Sequence, residues 1–355
     1  MALPLCACST VGYYAHLAHG EYAILAARKS IARVIADPAT DAQLKMRLEL
    51  AEQARAFASD HLELPRNASY TQYADLHRPY VMWNVFAAPE FSLEPVQQCF
   101  PIAGCVAYRG YYDRTRAENE ATRLRTRGLE TWVGGVPAYS TLGWFADPIL
   151  NTMLRWGDDD LAATIFHELA HQKVYVKDDT EFNESFATFV QREGLRQWRA
   201  ARTLAPSDAA EQAHEDQFDE LILDARDRLR SLYASAVPLD VMRARKHEEI
   251  ERLRADYVRL RDTQWRGAGA YDDWINSDIN NAKLLPFGLY HRWVQAFVVL
   301  FARQGRDWWA FYNAAAEMAR MKPGVRRQAL IELDASAKYP LPSLDWLPRA
   351  TRDAE

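Results

Sequence analysis

Two histidines four residues apart, with a glutamate directly after the first, stand inside an apolar stretch at His167-Glu168-Leu169-Ala170-His171. Leu161, Ile165, Phe166 and Leu169 recur there at helical spacing, and Asp158 to Asp160 precede them as acids do at helix starts. The pattern predicts a helix running to about Lys173. One turn separates His167 from His171, so both imidazoles leave the same face about 6 Å apart and can share one ion. Glu168 lies about 100° around that helix, placed to reach a metal-bound water without being a ligand. Two neutral nitrogen donors beside a proton-accepting carboxylate suit hydrolysis at a single Zn2+ ion. Imidazole favours zinc over magnesium or calcium. The competing explanation is coincidence among the chain's nine histidines. The apolar setting argues against it, because a surface cluster would be flanked by polar residues.

A catalytic zinc takes three protein ligands and keeps one position open, so a third donor is needed. A second helix is predicted from Asp178-Asp179-Thr180 to about Arg199, and it offers Glu181 and Glu184. Glu181 stands three residues after Asp178, the spacing at which a side chain reaches back to cap a helix start. Glu184 lies in line with Thr188, Gln191 and Leu195 and opposite Phe182, Phe186 and Phe189. A carboxylate flanked by apolar surface needs a partner if it stays ionised. Glu184 is therefore the expected third ligand, with Glu181 as the alternative.

The rest of the chain frames this motif. Its 355 residues are 49% hydrophobic, enough for a buried core in two or three lobes. Forty-eight acids against 43 basic residues give a net charge of -5 and no basic footprint for nucleic acid. No uninterrupted run approaches the roughly 20 apolar residues of a spanning helix. Residues 1–64 read as an N-terminal anchor and two alanine-rich helices broken near Pro38. Residues 65–205 carry the strand chemistry, as in Tyr80 to Val85 and Thr131 to Val133, a crossover helix over 114–126, and the two ligand helices. Residues 206–270 read as a charged antiparallel helical hairpin split by Pro238, its charges explained first by solvation. Residues 271–355 form a closing helical lobe rich in Trp, Phe and Tyr.

The cysteines add two expectations. Cys99 and Cys105 enclose a short loop that can close as a disulfide in an oxidising compartment; two buried thiols are the alternative. Leu5-Cys6-Ala7-Cys8 resembles the end of a bacterial lipoprotein signal, with Leu5 and Ala7 at lipobox positions and Cys8 as the lipid-bearing residue. No basic start precedes it. Either the sequence opens inside such a signal or the likeness is accidental.

With two His and one Glu as ligands, the chain resembles the gluzincin type of zinc metallopeptidase. More narrowly, it is similar to the bacterial putative aminopeptidase family. The likeness runs through Ser9-Thr10-Val11-Gly12-Tyr13-Tyr14, Pro101-Ile102-Ala103-Gly104, Tyr108-Arg109-Gly110-Tyr111, Gly135 to Thr141, His167 to His171, Phe182-Asn183-Glu184-Ser185-Phe186-Ala187 and Asn280-Asn281-Ala282. It covers most of the chain and implies a lipid-anchored periplasmic peptidase, with peptidase firmer than aminopeptidase. The fold it implies is α+β and predominantly helical, with a zincin-like core of a small mixed sheet and the His167–His171 helix. Many gluzincins place an Asp four residues after the ligand Glu to orient an imidazole. Here that position is Thr188, which leaves Asp178, Asp179 or a backbone carbonyl for the task.

Two further features are candidates for substrate handling. Gly134 and Gly135 open a segment, Gly135-Val136-Pro137-Ala138-Tyr139, that as an exposed edge strand would bind an extended peptide; a tight turn is the alternative. Tyr290 matches the family's tyrosine after the paired asparagines and is the expected oxyanion donor, ahead of His291. Asn280 and Asn281 could equally cap the helix that follows. Asp113 and Asp147 are among several acids able to hold a free substrate amine. The leading expectation is a zinc-dependent metallopeptidase, an aminopeptidase, that hydrolyses peptide bonds through a metal-activated water with Glu168 as general base. Its rivals are an envelope-tethered scaffold with a structural metal and a metal-dependent amidase of cell-wall peptides.

Overall fold

The computed structural model describes residues 5–100, 104–204 and 209–336. Helices dominate, and among the described residues small sheets interrupt them only between residues 29 and 150. Three helices, Leu5–Ala27, Ile31–Ala36 and Ala42–Asp60, stand where two were expected, because the chain also turns at Ala27 to make a short strand, Lys29–Ser30. Asp41 caps the third helix by accepting from the Gln43 and Leu44 N–H groups.

The expected single mixed sheet is divided. Its main part is a three-stranded antiparallel sheet in which Met82–Pro89 is central, flanked by Tyr108–Tyr111 and Leu129–Val136. The crossover helix is present as Arg114–Arg125, capped by Asp113, and buries Ala117, Ala121 and Leu124 against Trp83, Val85 and Ala87 on one sheet face. The mixed pairing lies elsewhere, in a small sheet of Lys29–Ser30, Gln72–Ala74 and Ile149–Leu150. Cys99 and Cys105 face each other across a two-stranded hairpin and are joined by a disulfide. The tip of that hairpin, Pro101 to Ala103, lies outside the described residues.

The motif helix, Asp158–Lys173, and the second ligand helix, Thr180–Ala201, pack as neighbours and bury Phe166, Leu169, Phe182 and Phe186. Asp160 accepts from the Gly157 N–H and so secures the motif helix start. The charged hairpin consists of Ala209–Tyr233 and Leu239–Thr263. Solvation does not account for all of its charges. Arg226 is buried and donates to the Leu284 carbonyl, and buried Lys246 pairs with Glu130 and donates to the Glu90 carbonyl. Phe218, Ile222, Leu253 and Tyr257 form a core of their own with Trp265 and Ile275. Through Arg226 and Leu284 the hairpin is docked on a helix beyond the short Asp272–Asn276.

That helix, Asn281–Tyr290, covers the other face of the main sheet, where Phe86 and Ala88 meet Ala282, Leu285 and Leu289. Residues 281–303 are long and apolar enough to count as a candidate span by length and composition. The helix breaks at His291 to Trp293 before Val294–Arg303, and most of the stretch is buried within the protein. Cys8 falls in the first helix, and its side chain lies outside what is described.

The first helix is held by close packing. Gly20 is buried, and a Cβ there would sit 2.0 Å from the Tyr112 ring. That ring cannot yield easily, because its hydroxyl donates to Glu21, which also accepts from Tyr139. Gly20→Ala is expected to cost about 1–3 kcal/mol as overpacking. A thermal melt equal to that of the wild type would show that this contact carries no stability.

Candidate active site

Two consecutive helices supply the metal-ligand candidates. His167 and His171 project from one face of the motif helix with their Nε2 atoms 3.2 Å apart. Glu184 Oε2 lies 3.4 Å from His167 Nε2 and 3.6 Å from His171 Nε2. All three are grouped as possible donors to one ion, with His171 and Glu184 each less than a tenth exposed. Donors bound tetrahedrally to zinc at 2.0–2.1 Å stand about 3.3 Å apart, so the spacing fits such an ion. Glu181 is not part of the group. It lies instead within the field of Arg327 and Arg226, and burial raises its carboxyl above the ordinary value.

The short link between the helices sets this convergence. Asn183 makes a two-way pairing with Val176, donating to its carbonyl and accepting from its N–H, both at 2.7 Å. Asp178 takes a positive φ of 67° and accepts from the Cys105 N–H, tying the link to the disulfide hairpin. Asp179, not Asp178, caps the second helix through the Phe182 N–H, and it also pairs with Arg326. Both aspartates are thereby committed, and neither orients an imidazole of the group.

Gln191 does that work for one imidazole. His167 Nδ1 donates to Gln191 Oε1 at 2.9 Å, which leaves Nε2 as the lone-pair donor. The sequence analysis did not assign this role, although Gln191 lies on the same helix face as Glu184 and Thr188, one turn beyond Thr188. Thr188 is buried on the same face. Among the described residues, His171 Nδ1 is buried without a partner. Gln191→Ala should weaken metal binding by about 10–100-fold. A competition titration giving the wild-type affinity would remove Gln191 from the site.

The two buried glutamates are driven in opposite directions. Burial pushes the Glu168 carboxyl up to about 7, against the pull of His167 and with help from Glu184 and Asp147. Burial works to raise Glu184 as well, but His171 and His167 outweigh it by charge and hydrogen bonding and hold it at about 2. One carboxylate thus stays ionised and able to serve as a metal ligand, while the other is poised near neutrality, where a general base is most effective.

Phenols surround the pair. The Tyr290 ring stacks beside His167 at 6.2 Å between centroids. Burial, with Glu184 next, raises both the Tyr290 and Tyr108 hydroxyls well above their ordinary value, so both remain proton donors. Burial and Glu184 also push Tyr175 up to about 12. Ser185 fixes the end of the Tyr290 helix by donating to the Leu289 carbonyl and accepting from the Trp293 N–H. Asn280 caps that helix through the Lys283 N–H, and His291 faces Asp219 at 2.8 Å, on the hairpin side.

The proposed edge segment is only partly an edge. Leu129–Val136 is a border strand of the main sheet. Its Val136 carbonyl accepts from the Val81 N–H, which turns Val136 inward, while the Thr131 carbonyl accepts from the Asn280 side chain on the outer side. By the alternation of antiparallel strands, Val133 and Gly135 present their backbone groups outward. Pro137 to Tyr139 follow the strand: the Pro137 carbonyl accepts from Thr152, Ala138 is buried, and Tyr139 donates to Glu21. Val133 was not anticipated as part of the edge. Asp147 is buried and accepts from the Thr141 N–H and hydroxyl, and Asp113 is spent on its helix cap.

The fold and site define a predominantly helical α+β protein with a buried His-His-Glu group able to hold a metal ion and a second buried acid, Glu168, beside it. The chain belongs to the family described as Putative aminopeptidase, whose model matches residues 12–330. That membership points to a peptidase. No curated protein and no solved structure matches the chain.

Proposed function

We propose that the protein is a zinc-dependent peptidase of the gluzincin type, acting as an aminopeptidase. The observation that carries this reading is the convergence of His167, His171 and Glu184 at zinc-like donor spacing beside the buried acid Glu168. Among the described residues no fourth His, Cys, Asp or Glu joins the group. This favours a catalytic site over the four-ligand structural site of a scaffold.

Zinc held by these three residues would supply Lewis acidity to a scissile carbonyl and acidity to a water. Glu168 takes the proton from that water and delivers it to the leaving amine. The Tyr290 hydroxyl, kept protonated by burial, donates to the oxygen on which negative charge develops. Gln191 holds His167 in the tautomer that presents Nε2, and Glu184 contributes a permanent negative charge. Val133 and Gly135 offer main-chain groups to an extended peptide. The disulfide agrees with an oxidising compartment. We propose in addition a bacterial periplasmic location, with a tether through a lipid on Cys8, a reading the disulfide supports only as far as an oxidising compartment.

The test is metal analysis of purified protein together with hydrolysis of free and N-acetylated peptides. One zinc per chain and cleavage lost on acetylation are expected. Cleavage of both peptide sets would replace the aminopeptidase reading with an endopeptidase one, and zinc-free protein that cleaves peptides would remove the metal from the mechanism.

A further inference from the structure

The sheet face turned toward the ligand group carries a polar side chain that the proposed chemistry leaves unused. Side chains alternate along Met82–Pro89. Trp83, Val85 and Ala87 lie under the crossover helix, so Met82, Asn84 and Phe86 point to the opposite face. On that face Phe86 joins Tyr108, Trp132 and Tyr290 in one cluster, and Tyr290 stacks beside His167. At the other end Met82 packs against the core that contains the motif helix. Asn84 stands between the two. It is 6% exposed, and its carboxamide has no hydrogen-bond partner among the described residues. The carboxamide atoms are not among the fully enclosed unpaired ones, so within this otherwise buried residue they open onto the face and are free to pair with a ligand there.

The neighbouring strands place no side chain directly opposite Asn84. Asn84 lies opposite Gly110 on one side and Gly134 on the other. Neither glycine has a positive φ, so backbone freedom does not explain them. A Cβ at Gly110 would sit 2.6 Å from the Met82 methyl carbon and 3.2 Å from Asn84 Oδ1. One at Gly134 would sit 2.5 Å from the Trp132 indole. The glycines let Met82 and Trp132 fold down on either side, and Asn84 is the one side chain beyond Cα in its cross-strand row.

We propose that Asn84 is a substrate-binding residue whose carboxamide pairs with a main-chain peptide unit of the substrate. Its N–H donates to a substrate carbonyl and its oxygen accepts from a substrate N–H. The inference rests on the peptidase reading and adds to it recognition of the peptide backbone independent of side chains. A site built this way discriminates against ligands that lack the amide.

Zinc-loaded wild type, Asn84→Ala and Asn84→Ser are compared with two probes, acetohydroxamate and a dipeptidyl hydroxamate that adds one peptide unit. Calorimetry should show the dipeptidyl probe weakened by about 10–100-fold in both variants, with acetohydroxamate unchanged. On peptides KM should rise, with kcat and zinc content close to wild type. Asn84→Ser serves as the readout if the alanine variant does not fold. Equal loss for both probes, or no loss for either, overturns the proposal, as does a wild type that binds the two probes alike. Wild type that binds both probes but cleaves no peptide sinks the peptidase reading instead, and the probe comparison still decides on Asn84.

Discussion

Glu168→Gln is expected to lower kcat by about a thousandfold while one zinc per chain remains bound, since a positioned general base contributes roughly 10²–10⁴. Glutamine keeps the volume of the buried side chain and the three donors untouched, so the loss reports chemistry and not collapse. The same variant has a second readout in metal-free protein. Burial raises the Glu168 pKa to about 7 from its ordinary 4.5. The folded state therefore binds more protons than the unfolded state between those values, and wild-type stability falls as pH rises through that window. The neutral amide lacks this dependence. Glu168→Gln should thus gain on the wild type by up to a few kcal/mol between pH 4.5 and 7. Turnover near the wild-type level would require another base, and parallel pH profiles would mean that the carboxyl is solvated.

Chelation is expected to lower the melting temperature by roughly 10 °C, reversibly on adding zinc. An ion present at about 1,000 times its dissociation constant adds about 4 kcal/mol to the folded state alone, and each kcal/mol moves a domain of this size by a few degrees. Glu184→Ala should abolish the gap between metal-free and zinc-loaded protein, because it removes a donor and leaves the histidines without their carboxylate. His167 and His171 alone would hold zinc weakly. A chelator-insensitive melt in the wild type would mean that the group binds no ion in the folded protein, and the metal reading would have to be abandoned.

The parts of the site that the sequence made legible are those set by local periodicity. The spacing of His167 and His171, the helix around them, the flanking Asp158 to Asp160 and the placement of Glu184 among phenylalanines follow from one helical repeat. The ligand helices run Asp158–Lys173 and Thr180–Ala201, close to expectation. What stayed hidden depends on long-range pairing. The sheet divides because Gln72–Ala74 pairs with Ile149–Leu150 and not with the main strands, a choice no local pattern encodes. Glu21 meets Tyr112 and Tyr139 from the far end of the chain. The hairpin's charges looked like a solvated surface because neither Arg226 nor Lys246 reveals its backbone acceptor in sequence. Asn84 had no signal of its own; only the register that sets it between two glycines brings it out.

The candidate donors come from adjacent helices joined by six residues, Val174 to Asp179, whereas Tyr290 and the sheet face arrive from distant parts of the chain. On the proposed reading, ion capture and substrate choice are therefore written in separate stretches of sequence. Evolution can retune the second, through the sheet or the Tyr290 helix, while inheriting the first unchanged.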